Sequence, residues 1–253
     1  MAYAEGEKDL KIISVGNSFA QDAQAYLHTL AESAGEEIHS ENLMIGGCSL
    51  ERHAGCLKNN LDDYVLEVNG VSTEKHITLR EALTKEKWDV VTLQQASHFS
   101  FDYGTYMPYL QELSDGVRAL CPGAEQVIHQ TWAYEDGSER LTVELGFSTS
   151  QEMFNGLEDA YNKAARQLGG ARQIPSGLAF RLAQEAGFGP MHRDTFHAQI
   201  PQGRYLLSAV WLTFFTGKNA ADASFLPEGM TRQEKELLDR IAWEAVERKK
   251  AEK

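Results

Sequence analysis

The feature that most narrows this chain's folding options is a repeated pattern. Short apolar runs end abruptly in glycine or polar residues, and each is followed by a segment of helical period. Residues 10–15 run into Gly16-Asn17-Ser18, "EIHSENLMI" into Gly46-Gly47, "WDVVTLQQ" into "ASH", and "EQVIHQTW" into a polar stretch at 133–149. Brief, mostly apolar runs fit strands covered on both faces. Interleaved with helices, they predict an α/β fold, a three-layer α/β/α sandwich with a mainly parallel central sheet. Helices are expected over 20–34, within "SLERHAGCLKNN", and over 106–120, 150–168, 176–186, 202–216 and 231–249. Asn69-Gly70 between β-rich flanks predicts a hairpin over 64–79. No repeat or linker interrupts the chain, so 1–253 reads as one domain carrying that hairpin and an extra C-terminal helix.

Charge and cysteine usage exclude several classes. With 37 acidic against 24 basic residues, the net charge is −13, the wrong sign for a phosphate-binding surface. No apolar run reaches the length of a membrane span. Three cysteines, Cys48, Cys56 and Cys121, form no CxxC pair and do not suggest a disulfide scaffold. The N-terminal "MAYAEGEKDLK" has no basic-then-apolar export pattern, which makes a cytoplasmic location the expectation.

In a parallel sheet, ligands bind beyond the C-terminal strand ends. "GNSF", "GGCSL" and "QQASH" are therefore expected to gather at one edge. Ser18 is well placed to cap the helix that follows, and the same position would display it as a nucleophile. A serine needs a base, usually a histidine oriented by a carboxylate. In "GPMHRDTFHAQIPQG", Asp194 and His197 are three residues apart just before a helix. A turn there would let Asp194 accept the Nδ1 proton and leave Nε2 for Ser18.

These blocks resemble the SGNH (GDSL-like) hydrolase superfamily. "VGNSF" matches its first block, with Asn17 where aspartate is usual. In "NLMIGGCSL", Asn42 and Gly47 keep the second block's offset, and "DTFH" matches the last block, followed by Gly203. "GNSF", "IGGCSLERH", "LQQASH" and "TWAYE" together look like the DUF4886-type branch, over roughly residues 10–216. The resemblance implies a serine esterase that needs no cofactor, with Ser18, Asp194 and His197 catalytic. It also implies an oxyanion hole of the Ser18 and Gly47 N–H groups and the Gln95 amide. The third block departs from the family, since "LQQASHFS" replaces GxND; Gln94, Ser97 and His98 therefore compete with Gln95. The implied partner is a small acylated molecule, with O-acetylated carbohydrate the leading class.

Asn17 is a candidate substrate contact. Trp132 and Tyr134 are candidates for a sugar-stacking wall, or equally for core aromatics. Two readings from other classes stand beside the esterase: a carbohydrate-binding protein on an inactive scaffold, and a metal-dependent hydrolase using His192, Asp194 and His197. An acyltransferase or thioesterase would use the same serine. "HRD" at 192–194 lacks the downstream asparagine of a kinase loop, Gln199 standing there, and no GxSxG elbow is present. No sequence feature pairs two carboxylates as a glycosidase requires.

Overall fold

The computed structural model describes residues 9–252; most of the N-terminal segment read for an export signal lies outside them. A seven-stranded sheet runs through the centre in the order β4-β3-β2-β1-β5-β6-β7. Its strands are β1 (Leu10–Gly16), β2 (Ile38–Met44), β3 (Tyr64–Val68), β4 (Val71–Ile77), β5 (Val90–Leu93), β6 (Glu125–His129) and β7 (Gln173–Ile174). The segment β2-β1-β5-β6-β7 is parallel, and β3 and β4 add antiparallel at one edge. The expected hairpin therefore extends the sheet.

Alternation along β1, β5 and β6 separates two cores. Ile12, Val90 and Val127 face a cluster with α1 (Ser18–Gln24), α2 (Leu27–Ser33), α7 (Ser176–Glu185), α8 (Gln202–Thr216) and α9 (Arg232–Ala251). Ile13, Val91 and Ile128 face the opposite cluster, with α3 (Leu50–Asn59), α4 (Leu79–Thr84), α5 (Tyr109–Leu120) and much of α6 (Ser150–Gln167). The C-terminal helix is part of the packing, because Leu238, Ile241, Ala242, Ala245 and Val246 join the first core. Among the described residues no helix is long and apolar enough to cross a membrane.

Two local expectations need correction. The helix expected over 20–34 is broken at Ala25-Tyr26. The Ser208 hydroxyl inserts there, accepting the Tyr26 N–H at 3.2 Å and donating to the Ala23 carbonyl at 2.9 Å. A side chain inserted in this way interrupts the helical ladder. The polar stretch after β6 also holds a single π-helical turn, Arg140–Glu144, which no sequence signal announced.

From β1 the chain crosses to β2 on one side and, after the hairpin and α4, to β5 on the other. The strand order thus reverses around β1, and the crevice beyond its C-terminal end is where such sheets place a ligand. The loops after β1, β2 and β5 open from this edge, because Val15 pairs with both Leu43 and Leu93.

Candidate active site

Asn17 and Ser18 occupy the sharp turn from β1 into α1. Asn17 is extended, with φ −151°, and its Oδ1 accepts the Phe19 N–H at 2.9 Å. Asn17 is therefore the helix cap, and Ser18 is the first residue inside the helix. This corrects the expectation that Ser18 caps, and it frees the serine hydroxyl. The Asn17 carbonyl accepts from Gln21 N at 3.0 Å and from Asn42 Nδ2 at 3.4 Å. The Asn17–Ser18 peptide is thereby held, and the Ser18 N–H has no partner among the described residues, as expected for the first turn of a helix.

Ser18 Oγ lies 2.8 Å from His197 Nε2, and His197 Nδ1 lies 2.8 Å from Asp194 Oδ2. The other Asp194 oxygen accepts the His197 backbone N–H at 2.9 Å. The carboxylate thus fixes both the loop and the ring. With Nδ1 donating to Asp194, Nε2 is the acceptor facing Ser18. Burial works to raise the Asp194 carboxyl, but hydrogen bonds from the His197 side chain and backbone hold it below its ordinary value.

The Asp194–His197 loop is strained and braced. Thr195 has φ +75°, a left-handed conformation costly for a β-branched residue. Its carbonyl accepts from Glu135 N at 2.8 Å, and the next carbonyl, of Phe196, accepts from Trp132 Nε1 at 2.8 Å. Trp132 is fully buried and stacks between Phe19 and Phe180, with centroids 4.1 and 4.7 Å away. Tyr134 is also fully buried, its hydroxyl 2.8 Å from Ser97 Oγ. The sugar-wall reading of this pair is therefore corrected: both are core aromatics, and Trp132 steadies the histidine loop from below.

Asp22, one turn after Ser18 on α1, joins the two halves of the site. It is fully buried. Its oxygens accept from Arg193 Nη1 at 2.9 Å, from Arg204 Nε at 2.8 Å, and from the Ala198 N–H at 3.0 Å. Ala198 directly follows His197, so one carboxylate ties the serine helix to the histidine loop.

The loop after β5 contains the main departure from the expected oxyanion hole. Gln95 is fully buried, and both ends of its amide are engaged. Its Oε1 accepts from Leu50 N and Ala96 N at 2.9 Å, and its Nε2 donates to Thr105 at 3.1 Å. Gln95 ties loops together and is not an oxyanion donor. Gln94 supports the cap: its Nε2 donates to Asn17 Oδ1 at 2.7 Å, and its Oε1 lies 2.7 Å from His129 Nδ1. His129 Nε2 is 3.1 Å from Ser176 Oγ. Burial pushes the His129 imidazole down to about 3, so the neutral ring relays a chain of donors, Ser176 to His129 to Gln94 to Asn17. Asn17 Nδ2 reaches the Cys48 carbonyl at 3.2 Å. Asn17 is thus fully buried structure and not a substrate contact.

Gly47 lies on the exposed turn after β2 with φ +60°, and its N–H is unpaired among the described residues. The positive φ favours glycine, and the nearest neighbour of an added Cβ would be His98 Cε1 at 4.0 Å. His192, the third donor of the metal reading, turns away, with Nε2 3.0 Å from the Ala133 carbonyl. Both His197 nitrogens are already engaged. The three side chains do not converge on one point.

Asp22, His129, Arg193 and Arg204 were not identified from the sequence. An acid four residues after a candidate serine in an apolar helix was a usable signal for Asp22. His129 had no such signal: it comes beside Gln94 only through the pairing of β5 with β6, which sets Leu93 against Ile128.

A mostly parallel seven-stranded sheet with helices on both faces, carrying a serine turn after the first strand, a glycine turn after the second and a DxxH loop near the end, matches the SGNH/GDSL hydrolase fold. The chain belongs to the family described as Domain of unknown function (DUF4886), whose model matches residues 11–245. That match reaches well into α9, beyond the 10–216 span of the motif resemblance. A crystal structure of a DUF4886 family protein from Bacteroides uniformis is 34% identical, with TM-score 0.89, covering 94% of this chain and 95% of that one. A candidate SGNH hydrolase from Slackia heliotrinireducens is 25% identical, with TM-score 0.57, covering 81% and 98%. A candidate GDSL-like lipase from Parabacteroides merdae shares the fold at 14% identity and TM-score 0.55, covering 83% and 97%. No curated protein matches the chain.

Proposed function

We propose that this protein is a serine-dependent ester hydrolase that works through an acyl-enzyme at Ser18. Short acyl groups, O-acetyl above all, on a carbohydrate or similar small molecule are the substrate class. The observation that carries the proposal is the continuous Ser18–His197–Asp194 hydrogen-bond chain at 2.8 Å per link. As Ser18 Oγ attacks the ester carbonyl, its proton passes to His197 Nε2, and Asp194 steadies the resulting imidazolium. The unpaired Ser18 and Gly47 N–H groups are available to the oxyanion, where one such donor is worth about 10²–10³ in rate. Collapse expels the alcohol, which takes the proton from His197, and water then repeats the cycle on the acyl-enzyme. The buried Trp132 and Tyr134 weigh against a carbohydrate-binding protein on a dead scaffold, because the proposed stacking wall is core. The motif resemblance supports the acetyl preference.

The test is hydrolysis of a short-chain nitrophenyl ester by wild type, Ser18→Ala and His197→Ala, with and without EDTA. Turnover that survives EDTA and vanishes in both variants is expected. Equal rates in all three proteins would remove the two residues from the mechanism.

A further inference from the structure

The third oxyanion donor is missing from its expected place, and the polar side chains after β5 can be followed one at a time. Gln94 is engaged by Asn17 and His129, Gln95 by Leu50, Ala96 and Thr105, and Ser97 by Tyr134. His98 is the exception in this run, since neither ring nitrogen has a hydrogen-bond partner among the described residues. Its ring is partly exposed and packs against Phe99 with centroids 4.2 Å apart. Gly47 also lies beside the ring, since a Cβ added there would stand 4.0 Å from His98 Cε1. An unspent imidazole therefore flanks the turn that carries an unspent backbone N–H.

We propose that His98 completes the oxyanion hole, donating a ring N–H to the carbonyl oxygen beside the N–H groups of Ser18 and Gly47. This inference rests on the acyl-enzyme reading of Ser18. When Ser18 Oγ bonds to the carbonyl carbon, the C=O π pair moves onto oxygen and the serine proton moves to His197. His98 keeps its own proton throughout and supplies only a hydrogen bond. On collapse the pair returns to re-form C=O, and the C–O bond to the leaving alcohol breaks.

The electrostatics suit a neutral donor. Burial, with help from the nearby Arg140 guanidinium, pushes the His98 imidazole below its ordinary value, so the ring is uncharged at neutral pH and holds one N–H. Arg140 itself lies over the Phe196 ring at 4.0 Å, and Phe196 lies 3.9 Å from the His197 ring. The guanidinium that adds to the effect of burial on His98 therefore belongs to the same rim of the site.

The test compares wild type, Ser18→Ala, His98→Phe and His98→Gln in steady-state hydrolysis of nitrophenyl acetate, with melting temperature measured alongside. His98→Phe keeps a ring against Phe99 but has no donor. It is expected to lose about 10²–10³ in kcat with KM changed by less than about threefold. His98→Gln restores an N–H donor and is expected to recover part of the loss. An unchanged kcat in His98→Phe while Ser18→Ala is dead would overturn the role of His98 alone, as would a change confined to KM. Equal rates in wild type and Ser18→Ala would overturn the serine reading and this inference with it. Because His98 is only half-buried, melting temperatures near wild type are expected, and a kcat loss that tracks lost stability across both variants would also count against the role.

Discussion

Replacing Asp22 tests how the two halves of the site are held together. The carboxylate is fully buried, whereas Arg193 and Arg204 keep 26% and 22% of their side-chain surface exposed. Removing one partner of a buried ion pair costs about 3–5 kcal/mol. Here both arginines can turn toward water, which argues for the lower end. The Ala198 N–H then loses its acceptor, adding about 1 kcal/mol. Asp22→Ala should therefore lose about 3–4 kcal/mol, and Asp22→Asn, which keeps one acceptor oxygen, about 2 kcal/mol. The kinetic effect should exceed what unfolding explains, because Ala198 adjoins His197 and Asp22 shares a helix face with Ser18. Misplacing reacting groups by about 1 Å can cost roughly 10²-fold. The assays are urea denaturation and nitrophenyl acetate kinetics of Asp22→Asn under conditions where the variant is folded. A folded variant with wild-type kcat, or a stability loss below about 1 kcal/mol, would refute the reasoning.

Two further perturbations follow from the same geometry. Trp132→Phe keeps an aromatic between Phe19 and Phe180 but removes the donor to the Phe196 carbonyl. A loss of about 2 kcal/mol and about tenfold in kcat is expected by urea denaturation and ester hydrolysis; full activity would show that the strained loop stands without that bond. Burial pushes His129 down to about 3 and His192 down to about 4, while the unfolded chain takes up those protons near pH 6.5. Their contribution is therefore complete above pH 6.5 and shrinks as pH falls toward 4, by up to about 1.4 kcal/mol per pH unit for each ring. Denaturation at pH 7, 6 and 5 should show His192→Asn losing about one proton's worth of that slope, and an unchanged slope would contradict it.

The fold was legible because the apolar strand runs and helix-period segments agree with one another, and the order of serine, glycine and DxxH fixed where the site would lie. The details that sequence reasoning missed depend on single-residue register or on distant contacts. Ser18 was read as the cap of "GNS", and only the extended backbone at Asn17 shows that the asparagine takes that place. Gln94 and Gln95 leave the same strand end in opposite directions, so a one-residue shift exchanges their surroundings. The glutamine chosen from the motif was the one facing α3 and Thr105. Trp132 and Tyr134 follow a strand end, where an aromatic can face a ligand or the core with the same local sequence. The Ser176–His129–Gln94 relay joins residues far apart in the chain, and no local pattern announces it.

The central claim is that Ser18 is a nucleophile activated by His197. Its most direct test is covalent labelling with a fluorophosphonate, followed by peptide mass analysis of wild type, Ser18→Ala and His197→Ala. One adduct per chain on the Ser18 peptide is expected, absent in Ser18→Ala and strongly slowed in His197→Ala. Labelling of Ser18→Ala at the wild-type rate, or an adduct mapped to another residue, would contradict the account.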